Sequence, residues 1–259
     1  MRAILKKCYL WLIFIFLYAP ILVLILFSFN ASRSRGNWGG LSLRWYGELF
    51  QDRAIMTALG NTVLIALVAA AVSAAVGTVA AVGIYRLKGW KKSFVMNITY
   101  LPILNPDIVI GISMMILFIA MSFPRGMASL IVSHITFGLP YGVISVLPKL
   151  AQLDPQIFDA ALDLGATPRE AYFKVILPQI LPGVFTGFLL AFTMSVDDFV
   201  VSFFVTGNGV ANLAISIYSM SRRGINPKIN AVLTLLFIAV AAMMYLIQRR
   251  LRKSSREAL

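Results

Sequence analysis

The chain has 259 residues, of which 59% are hydrophobic and 13% charged, with a mean hydropathy of +0.85. That composition excludes a soluble globular domain and leaves an all-α, polytopic membrane protein. A formal net charge of +13 would point to nucleic acid in a soluble chain, but these cations lie in the segments between apolar runs, so they read as a topology signal and no nucleic-acid partner is implied.

Six apolar runs are long enough to cross about 30 Å of hydrocarbon as helices. They are Tyr9–Phe29, Thr62–Tyr85, Phe94–Met121, Met127–Leu147, Ile180–Val205 and Ile229–Ile247. The first follows Arg2, Lys6 and Lys7 but is long for a cleavable signal core and lacks a small-x-small site after it, so an uncleaved first span is expected. With the N-terminus in the cytosol, fifteen of the 23 Lys and Arg residues fall on the cytosolic side. Both termini are therefore expected there. Cys8 is the sole cysteine, which rules out an intramolecular disulfide and a cysteine-rich metal site.

Between the first two spans, from Asn30 to about Asn61, stand Trp38-Gly39-Gly40-Leu41 and Trp45-Tyr46. Aromatic residues near the interface read as membrane anchors, and this run also resembles the first external loop of polyamine-type permeases, which implies a place where a substrate-binding protein would dock. In the second span Ala69, Ser73, Gly77 and Ala81 recur every four residues, a face that admits close approach of another helix. The third run contains Pro102, Asn105, Pro106 and Asp107, which should interrupt the helix. A re-entrant start, a kinked helix, or the interfacial start of a shorter helix all fit. The fourth carries the lone His134 with Gly138 and Pro140, and a single histidine without neighbouring ligands reads as a packed or hydrogen-bonded residue. No metal and no cofactor are implied.

Asp154 to Glu170 is the one stretch that reads like part of a soluble protein. Asp154 can cap a helix with Pro155 in its first position, and Thr167-Pro168-Arg169-Glu170 has the form of a capping box. Between these two helix starts Gly165 can take the left-handed conformation that ends a helix. Two short helices meeting at a bend are expected.

The fifth run ends in Ser195-Val196-Asp197-Asp198-Phe199, and an Asp at the centre of a membrane helix costs roughly 2.5–3.5 kcal/mol on insertion scales. Adjacent helical residues diverge by about 100°, so at least one of the pair should turn inward. An interhelical hydrogen bond, an interfacial cap, or a path for a cation shared with Asp107 would each explain them. Beyond lie a turn signal at Asn208-Gly209, the run Arg222-Arg223-Gly224-Ile225-Asn226-Pro227, and the basic stretch Arg249 to Arg256, whose expected place is beside anionic lipid. No Gly-x-x-x-x-Gly-Lys-Ser/Thr loop occurs, so the chain is not expected to hydrolyse ATP, and no nucleophile, base and orienter set marks an enzyme.

Asp159-Ala160-Ala161, Gly165 and Ile176-Leu177-Pro178 resemble the EAA signature of the membrane subunits of binding-protein-dependent ABC importers, with Asp159 in place of the usual Glu. Four further strings resemble the spermidine/putrescine permeases of the C type: Asn105-Pro106-Asp107-Ile108-Val109, Ser133-His134-Ile135-Thr136-Phe137, Ser195 to Val201, and Gly224 to Ala231. The resemblance implies a type I ABC importer permease fold of six transmembrane helices, a single permease domain over residues 1–259 with a cytoplasmic coupling segment at 154–178. It also implies a bacterial cytoplasmic (inner) membrane location. Asp159, Ala160, Ala161 and Gly165 would then couple the bundle to a separate ATPase subunit in two copies, beside a second homologous permease subunit and a periplasmic substrate-binding protein. The expected cargo is a polyamine, with another small organic cation as an alternative. A secondary transporter using the intramembrane acids, or a membrane scaffold, are rival readings.

Overall fold

The computed structural model describes residues 2–33, 37–207, 209–222 and 227–257, and every element in it is helical. By contacts the chain forms two compact units, one of the residues before Ala58 together with those from Ser216 onward, the other Ala58–Ile215. Among the described residues four helices are long and apolar enough to cross a membrane: the Tyr9–Ser28 part of α1 (Arg2–Ser28), α3 (Arg53–Arg86), α6 (Met127–Ala151), and Pro168–Asp197. The bent pair α4 (Gly89–Leu104) and α5 (Asp107–Ala120) is long and apolar enough only when the two are taken together, as a broken span or a re-entrant loop. The sixth expected span, Ile229–Ile247, falls within α12 (Lys228–Glu257), whose side chains are described as far as Ala242.

In the first unit α1 packs against α12 and leaves Trp11, Leu12, Phe16, Leu17 and Leu22 exposed, an apolar surface suited to lipid or another helix. After α1 the chain turns around the buried Asn30. Its side chain accepts from the Ser32 and Gly39 N–H groups at 3.1 and 2.8 Å and donates to the Asn37 carbonyl at 2.9 Å. Trp45, buried on the short helix α2 (Arg44–Gln51), donates Nε1–H to the Asn30 carbonyl at 2.6 Å. The two tryptophans of this loop thus differ: Trp45 is an internal anchor, while Trp38 stays half exposed with its ring edge-on to Phe27. On α2, Glu48 accepts from Arg44 at 2.7 Å, and Lys228 lies 3.7 Å from Glu48 and 3.3 Å from Asp52.

The second unit is built on α3, α6 and α9 (Leu177–Asp197). Ala69, Ser73, Gly77 and Ala81 are all buried, as their spacing predicts. The backbones touch: a Cβ on Gly77 would stand 2.9 Å from Cα of Gly142 in α6, and one on Gly187 in α9 would stand 3.0 Å from the same atom. Ser73 closes the seam by donating Oγ–H to the Ile135 carbonyl at 3.0 Å. At one end, Ile84, Val146, Leu150, Ile176 and Ile180 form an apolar cluster; at the other, Ile65, Phe118, Leu130, Phe137, Val201 and Val205 form a second.

Two apolar runs are not the continuous helices that hydropathy alone predicts. The third begins earlier, at Gly89, and breaks at Asn105-Pro106 with a bend of 103°. Asn105 is extended, as the residue before a proline is pushed to be, and Pro106 has no N–H to continue the ladder. The fifth run, read from sequence as Ile180–Val205, is also two pieces: α9 ends at Asp197, Asp198 is extended, and α10 (Val200–Val205) restarts the helix. Of the sequence features in the last third, Asn208 and Arg223 to Asn226, like Arg35 earlier, lie outside the described residues.

Candidate functional site

Both helix breaks open onto one cavity of about 220 Å³. Pro102, Asp107 and Ile110 line it from the α4–α5 pair, Phe137 and Tyr141 from α6, and Met194 and Asp197 to Val201 from the α9–α10 break. The three acids singled out in the sequence are thus brought together, walled by three aromatic rings.

Their local settings differ. Asp107 is the first residue of α5, where a carboxylate is favoured by the positive end of the helix dipole. Asp198 directs its carboxylate along the chain: Oδ1 accepts from the Val201 N–H at 3.2 Å and Oδ2 from the Ser202 N–H at 2.8 Å, so it caps α10. Asp197 is the last residue of α9, at the negative end of that helix, and is exposed on the cavity. A carboxylate there adds to the field of the α9 carbonyls instead of cancelling it, so the cavity favours a positive guest.

Behind Asp198 lies a buried polar chain. His134, 1% exposed at its side chain, has Nδ1 2.6 Å from Ser195 Oγ and Nε2 3.0 Å from Ser202 Oγ and 3.5 Å from Asp198 Oδ2. Asn212 donates to Ser202 Oγ at 2.7 Å and accepts from the Ile215 N–H at 2.9 Å, capping α11 (Leu213–Arg222). His134, Ser195, Ser202, Asp198 and Asn212 are therefore joined in one hydrogen-bonded chain across α6, α9, α10 and the residue before α11. The lone histidine is hydrogen-bonded, and among the described residues no cluster of His, Cys, Asp and Glu could hold a metal. Ser202, Asn212 and Tyr141 were not singled out in the sequence, and Ser195 only as a member of the Ser195 to Val201 string. No local signal marks them, because they meet only through the tertiary fold.

The 154–178 segment folds as its caps dictate, with two differences. Asp154 Oδ1 accepts from the Gln156 N–H at 2.9 Å, which makes a turn of Pro155 and Gln156, and α7 begins only at Ile157 and runs to Asp163. Gly165 has φ +87°, with Gly165 N–H bonded to the Leu162 carbonyl at 2.9 Å and Ala166 N–H to the Ala161 carbonyl at 3.1 Å, the paired bonds of a Schellman ending. Thr167 and Glu170 form the reciprocal box, Thr167 Oγ1 accepting from the Glu170 N–H at 3.3 Å and Glu170 Oε2 from the Thr167 N–H at 3.1 Å. The second helix is not short: α8 (Pro168–Glu170) passes through a π-helical turn, Ala171–Ile176, directly into α9. Asp159, Ala160 and Gly165 are exposed and Ala161 is buried, while Leu164 at the tip is 90% exposed.

A bundle of apolar helices broken around a polar cavity, with a bent polar segment at one end, defines the membrane-spanning permease component of a transport system. Residues 73–257 match the binding-protein-dependent transport system inner membrane component family, and the chain belongs to it. It is 42% identical over 211 residues to the putrescine transport system permease protein PotI of Escherichia coli (strain K12), covering 78% of this chain and 75% of that one. To the spermidine/putrescine transport system permease protein PotC of the same organism it is 37% identical over 213 residues, covering 82% and 81%. A solved bacterial ABC transporter involved in the import of the acidic polysaccharide alginate contains a chain of the same fold, with a TM-score of 0.72 at 17% identity over 97% of this chain and 94% of that one. The methionine ABC transporter MetNI in inward-facing form is likewise similar, at a TM-score of 0.62 and 21% identity over 82% and 99%.

Proposed function

We propose that this permease moves polyamines across the cytoplasmic membrane as one subunit of an ATP-driven importer. The whole chain serves as one permease domain with both termini in the cytosol. The observation that carries the cargo reading is the meeting of Asp107 and Asp197 with Phe137, Tyr141 and Phe199 around one cavity. A protonated polyamine bears separated positive charges on a flexible apolar chain, so spaced carboxylates between aromatic faces match it. The 42% identity to a putrescine permease supports the same class. Asp107, Asp197 and Asp198 line the path, and Asp198 also keeps α10 in place.

On this reading Asp159, Ala160, Ala161 and Gly165 form the surface that engages a separate ATPase, present in two copies. A second homologous permease subunit completes the bundle and a periplasmic binding protein delivers the cargo. The chain itself performs no catalysis, since it carries no phosphate-binding loop. The test is uptake of labelled putrescine and spermidine into proteoliposomes holding the assembled complex. Uptake that needs internal ATP and the binding protein, and that falls in Asp197→Asn, supports the proposal. Uptake by this chain alone, driven by an ion gradient, would instead favour a secondary transporter.

A further inference from the structure

The last residue of α3, Arg86, stands with its guanidinium carbon 4.9 Å from the ring centre of Phe158 in α7 and 5.2 Å from that of Tyr172 in the π-helical turn. The two rings are themselves 4.9 Å apart. Phe158 and Tyr172 belong to opposite limbs of the segment that bends at Gly165, so one cation touches both limbs at once. The three groups form a triangle: the rings touch each other, tilted by 48°, and the guanidinium caps the pair, drawing cation–π attraction from both. On one side the two rings pack against the apolar cluster of Ile84, Leu150 and Ile176, and on the other the contact borders a cavity of about 270 Å³ lined by Arg86, Asp154 and Asp159 among others. On the far side of Arg86, α3 runs into the close seam with α6.

We propose that Arg86, capping the Phe158–Tyr172 ring pair, is the positioning residue that converts displacement of the bent segment into displacement of α3. This rests on the reading of residues 154–178 as the ATPase-engaging segment. The clamp gives α3 a grip on both limbs, so the segment cannot tilt about its bend without carrying the helix end with it. Losing the clamp should leave the segment able to engage the ATPase while slackening its hold on the bundle.

The test uses the assembled complex in proteoliposomes and reads two quantities: the ATPase subunit retained on purification, and substrate imported per ATP hydrolysed. Arg86→Ala and Tyr172→Leu should each lower the import ratio, by roughly fivefold for the arginine on the scale of two ring contacts, with the ATPase retained. The double variant should lose less than the two single losses combined, because both changes remove the Arg86–Tyr172 contact. Tyr172→Phe keeps the ring and should keep the ratio. Additive losses, an unchanged ratio in Arg86→Ala, or full recovery with Arg86→Lys would overturn the clamp, the last because charge alone would then suffice. Leu164→Asp at the exposed tip tests the underlying reading separately. It should release the ATPase, and if the ATPase stays bound, the engaging surface has been misassigned whatever Arg86 does.

Discussion

Asp197 and Asp198 are adjacent in sequence yet face different partners: Asp198 turns its oxygens onto the N–H groups of Val201 and Ser202, whereas Asp197 remains exposed on the cavity. The chain break between α9 and α10 makes this division possible. In an unbroken helix the N–H groups of Val201 and Ser202 would be bonded to the carbonyls four residues before them. At the break they are free to accept a side-chain cap.

From that division, Asp197→Asn should lower polyamine uptake at least several-fold in membranes holding normal amounts of assembled complex. The substitution keeps size and removes charge, so it isolates the electrostatic part. Asp107→Asn should have a smaller effect, since its carboxylate is already partly offset by the N-terminus of α5. Unchanged uptake in the double Asp197/Asp198 variant would return both acids to a purely structural role.

For Asp198 the expected loss is also one of stability. Asp198→Ala removes a helix cap, a change that costs about 0.5–2 kcal/mol, and leaves two buried N–H groups to find new partners. Asp198→Asn keeps one acceptor oxygen and should cost less. Thermal unfolding of the purified complex checks the order: the Ala variant should melt lowest, Asn between it and the parent. Equal melting of all three would show that the cap contributes nothing.

Gly165 has φ +87°, and no atom lies within 4 Å of where its Cβ would stand. The penalty for a side chain there is therefore conformational rather than steric. Gly165→Val should strain the turn by roughly 1–2 kcal/mol, while Gly165→Asn, which tolerates the left-handed region, should be nearly neutral. Uptake and substrate-stimulated ATPase activity should fall for Val and persist for Asn. Persistence in both would separate the bend from coupling.

The Glu48 carboxyl on α2 is held below the usual carboxylate range, chiefly by the hydrogen bond from Arg44, with the Arg44 and Lys228 charges adding to it. A lowered carboxyl pKa means that any stabilisation from these pairs is fully present above the unfolded value and is lost only as pH falls through the lower folded one. The pairs around Glu48 should thus persist through neutral and mildly acidic conditions. A carboxyl NMR titration of labelled protein should place the Glu48 midpoint below that of an ordinary glutamate, and Arg44→Gln should move it back up. No difference between the two proteins would contradict the assignment.

How much of this was legible in the sequence depended on how local the cause was. The 154–178 segment could be read almost residue by residue, because caps and a glycine turn act within four or five positions, as Thr167, Glu170 and Gly165 show. The helix break at Pro106 was visible for the same reason, though its angle was not. The break at Asp198 was hidden by its surroundings: Val200 to Val205 is apolar enough to pass for more of the same span, and only the carboxylate cap separates it. The His134 partners were out of reach, since Ser195, Ser202 and Asn212 come from different stretches of chain and meet by packing alone.

The helix α3 has no proline between Arg53 and Arg86. Near one end Thr62 Oγ1 accepts from the N–H of Leu213, the first residue of α11, at 2.8 Å, and at the other Arg86 caps the Phe158–Tyr172 ring pair. These contacts are 24 positions apart, roughly 36 Å along an unbroken helix at 1.5 Å per residue. By contrast, α4, α6 and α9 carry internal prolines, and two of them end at the breaks that form the cavity. If the bent segment moves α3 as proposed, a helix with no internal proline has fewer places to absorb an axial push than its neighbours have, and the push would arrive at the Thr62 contact with the first residue of α11.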